Sequence, residues 1–327
     1  MRILVTGASG FIGSHIARDL AGLGHEVVAT GRNCSRLGTL ADTSCRLRTA
    51  DLSVDTLDPH VEGCEAVVHC AARAAPWGQR SLFWSDNVVA TERLVAAARR
   101  SGTIRRFVFL SSPSIYFRLR DQFDLSETFV PPQRWPTAYA ETKWLAETRV
   151  LAAPEIGPVI LRPRAVFGPR DTAIVPRIVA VARTGLLPLP RSGRAWTDIT
   201  YVDNVVAAVS NALQLEREIA GKAFNVTNGE PIQVRDLLGR LVAALDLRIR
   251  FISMPRAIAL ALACVSERYA ALRGSQREPR LTSYGIGLLA YSQTLSIEAA
   301  RRQLGYTPVV SINEGLERYA RWWRAQQ

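Results

Sequence analysis

The sequence predicts an α/β protein: a doubly wound parallel sheet with a smaller, discontinuous C-terminal domain. Three observations predict it. Short, β-branched apolar runs alternate with helix-like stretches through the first half of the chain, the pattern of βαβ units. The first run leads directly into a glycine-rich turn that opens a helix. The 327 residues, 48% hydrophobic and 21% charged, suit a globular chain that can bury its core without a metal or disulfide staple.

In chain order, the strands are read at Ile3 to Thr6, Val27 to Thr30, Ala66 to Cys70, Phe107 to Leu110 and Val159 to Leu161, with another ahead of Asp51. Helices are read at Ile12 to Leu23, Asn87 to Ser101 and Ala138 to Ala152, and as crossovers they cover both sheet faces. After Gly168 the prolines 169, 176, 188 and 190 indicate loops, followed by a helix from Tyr201 to Leu213 and a short strand from Ala223 to Val226. From Asn228 onward the reading is mainly helices and loops, including a helix from Pro255 to Arg273. Residues 1–166 with 196–227 are expected to form a nucleotide-binding domain, and 167–195 with 228–327 a substrate domain.

Lys+Arg exceed Asp+Glu by 41 to 29, a net charge of +12, yet no basic run is long enough to track a nucleic-acid backbone. A solvated basic surface is favoured over attraction to an anionic substrate, cofactor or membrane surface. The N-terminus MRILVTG has too short an apolar run for a signal peptide, so the mature chain is expected to start here. Ile258 to Val265, flanked by Arg256, Glu267 and Arg268, falls far short of the roughly 20 residues of a membrane span. Cys34, Cys45, Cys64, Cys70 and Cys264 form no Cys-x-x-Cys pair, which points to free thiols in a reducing cytoplasm. His15, His25, His60 and His69 are too dispersed for a metal site, and His69 reads as structural.

Gly7, Gly10 and Gly13 frame the turn, with Phe11 and Ile12 opening the helix behind it. The first two glycines permit a tight turn and close approach to a pyrophosphate at the helix N-terminus, and the third lets helix and strand pack closely. After the second strand, Gly31 stands where a carboxylate would otherwise repel a 2′-phosphate, and Arg32, helped by Arg36, can pair with one; NADP(H) is preferred to NAD(H). Asp51-Leu52 reads equally as an adenine contact and as a helix N-cap. Tyr139 and Lys143 lie four residues apart on one helix face, and Ser112 ends the strand Phe107 to Leu110. All three can converge at the carboxyl edge of a parallel sheet, where the ammonium together with an oxidised nicotinamide would lower the phenol toward the range of an acid/base catalyst.

With these motifs in order, the chain resembles the extended short-chain dehydrogenase/reductases over essentially its whole length. The likeness also rests on His69-Cys70-Ala71-Ala72, Asn87, Leu161-Arg162-Pro163 and Tyr201-Val202-Asp203-Asn204. It implies a Rossmann sheet and a homodimer formed through the helices of Asn87 to Ser101 and Ala138 to Ala152. Ser112 would orient the substrate oxygen, Tyr139 would be the acid/base, Lys143 would hold the nicotinamide ribose, and Ala71, Asn87 and Pro163 would lie along the cofactor. Trp77-Gly78, Phe167 to Asp171, Thr200 to Val205, Glu278-Pro279-Arg280-Leu281-Thr282 and Ala299 to Tyr306 are similar to the 3β-hydroxysteroid dehydrogenase-like branch, which includes bacterial 3-ketoacid reductases. Nucleotide-sugar enzymes of the family usually carry an asparagine where Ala165 stands and an arginine where Thr197 stands, both on the diphosphate.

The pocket candidates are Trp77, Ser114, Phe117, Arg164 and Trp196; for each tryptophan interdomain core is an equal reading, while a charge at Arg164 should face the cleft. The helix from Pro255 to Arg273 can cap the pocket, dock on a membrane surface, or pack within the small domain. The preferred function is NAD(P)(H)-dependent interconversion of a ketone and a secondary alcohol on a largely apolar substrate, steroid-like or a 3-keto/3-hydroxy acid. The alternatives are a nucleotide-sugar epimerase or dehydratase and a non-catalytic dinucleotide sensor.

Overall fold

The computed structural model describes residues 1–326 apart from 129–131, 133, 173, 183–184, 216–218, 276 and 280, so Arg280 lies outside the described residues. Seven strands build the main sheet: β1 (Arg2–Thr6), β2 (Glu26–Gly31), β3 (Arg46–Thr49), β4 (Ala66–His69), β5 (Arg106–Leu110), β6 (Pro158–Pro163) and β7 (Lys222–Val226). All pairs are parallel, in the order β7-β6-β5-β4-β1-β2-β3. The order reverses between β1 and β4, which opens a crevice at the carboxyl ends of the central strands.

Alternation along the strands decides which helices they meet. Ile3 and Val5 of β1 point into a core shared with Ile16 and Leu20 of α1 (Phe11–Gly22) and Val205 and Val209 of a helix at Val202–Gln214. Leu4 points the other way, into a core with Leu94 of α2 (Ala90–Ser101) and Val150 of α3 (Ala138–Leu151). Each fully buried aliphatic side chain contributes roughly 1.5–3 kcal/mol, so a one-residue register slip is strongly disfavoured.

A second, four-stranded sheet joins Ile232–Gln233, Trp196–Thr197, Gln293–Leu295 and Gln122–Leu125. Leu186–Pro190 pairs with Arg250–Met254. The region after Asn228 therefore holds strands that the sequence did not reveal: Ile232–Gln233 and Gln293–Leu295 are too short to carry a period, and Arg250–Met254 does not alternate apolar with polar residues. Two proline readings are also corrected. Pro176 lies in the first turn of a helix, Val175–Ala182, where its missing N–H is harmless, and Pro188 and Pro190 sit in a two-stranded pair. Asn87 does not start the α-helix: Trp84–Val89 is a π-helical segment, and α2 follows it.

Candidate active site

Gly7 adopts φ +67°, and a Cβ there would meet the backbone N of Ala71 at 2.7 Å. A Cβ at Gly13 would collide with the carbonyl oxygen of Gly7. The loop thus lies against the end of β4 and the start of α1 with no room for side chains. Gly31 has a steric role besides the electrostatic one read from the sequence: a Cβ there would lie 2.9 Å from Ser9 Cβ and 3.1 Å from Ser9 N.

Above this loop is a cavity of about 320 Å³ lined by Gly7, Gly10, Arg32, Arg36, Asp51, Leu52 and Ala71, together with Asp86 and Ala72. Phe11 borders a neighbouring cavity with Ser14 and Arg170. Asp51 closes a turn, accepting from Ser53 N at 2.9 Å and Ser53 Oγ at 2.6 Å, contacts that with Arg32 hold its carboxyl below the usual range. Arg32 forms a bidentate pair with Asp86, at 3.0 and 3.3 Å, and Asp86 also holds Arg73 at 2.8 Å. Sequence reasoning missed Asp86, although it directly precedes Asn87 on the π-helical turn. Asn87 is buried: its Oδ1 accepts from Arg73 N at 2.7 Å and its Nδ2 donates to Thr142 Oγ1 at 2.9 Å, which ties the loop after β4 to α3. Pro163 ends β6 and is buried.

Ser112, Tyr139 and Lys143 assemble at the same sheet edge. Ser112 follows β5 and caps a short 3₁₀ turn, its Oγ accepting from Ser114 N at 3.2 Å. Thr137 caps α3 by accepting from Ala140 N at 3.1 Å, which places Tyr139 in the first turn and Lys143 one turn further on. Burial, only partly opposed by a hydrogen bond with Ser112, leaves the Tyr139 phenol above its usual value, the opposite direction to the lowering expected from the sequence. Lys143 Nζ donates to Leu110 O at 2.6 Å and lies 4.0 Å from the centre of the Phe109 ring. Burial depresses its amine to about 7 against the opposing fields of Glu147 and Cys70. Glu147 is itself held by Arg162, at 2.6 and 3.0 Å, and accepts from Ser111. His69 bridges Thr6 at 2.7 Å and Thr91 at 2.9 Å, and burial, with the field of Lys143, pushes it down to about 3, so it is neutral.

Trp77, Phe83, Pro136, Thr137 and Tyr284 line a cavity of about 340 Å³ beside the trio. Trp77 Nε1 donates to Ser275 O at 3.2 Å, and Phe117 packs edge-on against Tyr284 at 4.9 Å between ring centres. Tyr284, which sequence reasoning did not single out, feels both Tyr139 and Arg164, and burial pushes its phenol up to about 12. Trp196 is 39% exposed on its strand. Arg164, by contrast, is buried. It donates to Gln293 Oε1 and, at 3.3 Å, to Thr197 Oγ1, while its Nε has no partner among the described residues. Asp198 acts on it only through space, and burial lifts that acid to about 6. The hydroxyl of Ser114 is likewise buried and unpartnered. Ala165, next to Arg164, has φ +45°, a left-handed conformation that asparagine or glycine adopts more readily.

Residues 3–227 match the model of the NAD dependent epimerase/dehydratase family. The 2-alkyl-3-oxoalkanoate reductase of Stenotrophomonas maltophilia (strain K279a) is 37% identical, covering 97% of this chain and 98% of that protein. The sterol-4-alpha-carboxylate 3-dehydrogenase, decarboxylating, of Homo sapiens is 28% identical, covering 99% and 88%. Among solved structures, MoeE5 in complex with UDP-glucose and NAD aligns with a TM-score of 0.78 at 26% identity, covering 100% and 99%.

Proposed function

From the premise that the chain belongs to the NAD dependent epimerase/dehydratase family and is an NAD(P)-dependent oxidoreductase, we propose that it interconverts the 3-oxo and 3-hydroxy forms of a largely apolar carboxylic acid. The observation that carries this reading is Arg164. A buried guanidinium with an unpartnered Nε, on which Asp198 acts only through space, lacks the directly paired anion that burial of a charge ordinarily demands. A substrate carboxylate supplies one. Both named relatives join an oxygen function at position 3 to a carboxylate in their names.

The glycine cradle and the cavity that continues past Arg32 fit a nicotinamide dinucleotide, with Gly7, Gly10, Ala71, Leu52 and Asp51 along it and Arg32 and Arg36 favouring the 2′-phosphate of NADP(H). When bound, that cofactor supplies or accepts the hydride. Ser112 accepts from Ser114 N and shares a hydrogen bond with Tyr139; with substrate bound, its hydroxyl would turn to the substrate oxygen. In the reductive direction Tyr139 gives that oxygen its proton; in the oxidative direction it takes the proton back. The Lys143 ammonium, one helical turn away, would hold the nicotinamide ribose and favour the tyrosinate.

A nucleotide-sugar diphosphate would meet Ala165 and Thr197 where the family pattern has two phosphate ligands, and desolvating it there is unfavourable. Calorimetry with UDP-glucose, UDP-galactose and dTDP-glucose should show no micromolar binding, whereas medium-chain 3-hydroxy acids should be oxidised with NADP⁺. A micromolar nucleotide-sugar complex would overturn the substrate assignment.

A further inference from the structure

The helix Arg256–Leu272 is built inside out. Its buried residues are alanines, Ala259, Ala263 and Ala270, on a helix that packs against Ser283–Ala290. The large apolar side chains point away: Ile258 is 52% exposed, Leu262 46%, Val265 66%, Tyr269 55% and Leu272 88%. At about 100° per residue these five fall within an arc of about 80°, a continuous stripe along the whole helix. Scattered exposed apolar residues are ordinary; a contiguous stripe marks a surface that is covered by something.

The charges around the stripe identify its chemistry. Arg268 is exposed along one flank, and Arg273 lies over the Tyr269 ring, 4.4 Å from its centre, along the other. The single acid of the helix, Glu267, is turned inward, accepting from Ser283 N and Ser283 Oγ, both at 2.7 Å. A second copy docked antiparallel on this stripe would set Arg256 near Arg273 on chains that each carry +12. An anionic lipid surface meets both features, accepting the apolar side chains at the acyl boundary and the arginines at the headgroups. No helix among the described residues is long and apolar enough to cross a membrane, so this contact lies in the plane of the surface. The placement is also functional. Glu267, on the helix face opposite the stripe, and Ser283 line the cavity of Trp77 and Tyr284, and Trp77 is tied to Ser275 just beyond the helix, so the helix is one wall of that cavity.

We propose that the helix Arg256–Leu272 is an interfacial helix that docks this protein on anionic bilayer surfaces. The test is co-sedimentation of the full chain with phosphatidylcholine vesicles and with mixed phosphatidylcholine/phosphatidylglycerol vesicles. It compares the native chain, Leu262→Asp/Val265→Asp and Arg268→Glu/Arg273→Glu, each shown to melt like the native protein. The native chain should partition onto the mixed vesicles and about tenfold less onto the neutral ones, and either variant should lose about tenfold or more. Failure of the native chain to sediment with mixed vesicles, or unchanged binding by the Asp variant, overturns the proposal. If the native chain stays in solution as a dimer that the Asp variant dissociates, the stripe is an interface between copies instead.

Discussion

Replacing Arg164 by methionine keeps most of the side chain's length and removes only its charge and its donors. In the structure those donors reach Gln293 and Thr197 and leave Nε without a partner, so the variant leaves two neutral acceptors unpaired and removes the cation that acts on Asp198 through space, which Asp198 answers by holding its proton to higher pH. The effect on stability should be small or favourable, since a buried cation without a direct ion pair is replaced by an apolar group of similar volume. The effect on an acidic substrate should be large. A charge-assisted pair contributes about 1.5–3 kcal/mol, which at about 1.4 kcal/mol per decade is a loss of roughly 10- to 150-fold in kcat/KM. The assay is NADP⁺-dependent oxidation of a medium-chain 3-hydroxy acid beside a 2-alkanol of matched chain length that lacks the carboxylate. Loss on the acid with less than about threefold change on the alkanol is expected. Equal losses on both, or none on the acid, would show that Arg164 is structural and refute the carboxylate assignment.

Three further outcomes are expected. Arg32→Ala should weaken NADPH binding by about one to two decades while leaving NADH binding nearly unchanged, read by fluorescence titration; equal effects on both would place the 2′-phosphate elsewhere. Asp198, lifted by burial to about 6, becomes neutral as the pH falls through that value and no longer offsets Arg164. The preference for the 3-hydroxy acid over the alkanol should therefore rise between pH 7 and 5.5 and become flat in Asp198→Asn. The same raised acid favours folding below its unfolded value of about 3.9, a contribution lost as pH rises to about 6. Ala165→Gly should stabilise the protein by about 0.5–1 kcal/mol, because relief of the left-handed strain at φ +45° outweighs the entropy of glycine; a lower melting temperature would show that the alanine is not strained there.

The main sheet was legible because its central strands are buried on both faces and read as short apolar runs, unlike the edge strand Arg46–Thr49, and the glycine loop because its context, strand before and helix after, restricts the backbone. The carboxyl edges of β1 to β6 follow from that topology, so Gly7, Arg32, Asp51 and Ala71 line one cavity, and Ser112 and Arg164 follow strands at the same edge, without any contact having been known. Other features depend on long-range pairing. Asp86 reaches Arg32 only because the π-helical turn redirects it, and Gln293 reaches Arg164 across 129 residues of chain. Tyr284 follows a visible cap, Thr282 accepting from Gly285 N at 3.0 Å, but its proximity to Tyr139 is a product of tertiary packing. Prolines misled where their missing N–H did no harm, as at Pro176.

The central claim is that Tyr139 moves the proton during oxidoreduction of a 3-oxo/3-hydroxy acid, and the most direct measurement is single-turnover oxidation of a medium-chain 3-hydroxy acid by NADP⁺ in the native chain and Tyr139→Phe. The account predicts a rate loss of about 10²–10⁴-fold with NADP⁺ affinity unchanged, because only the phenolic oxygen is removed. Turnover near the native rate in the phenylalanine variant would contradict it.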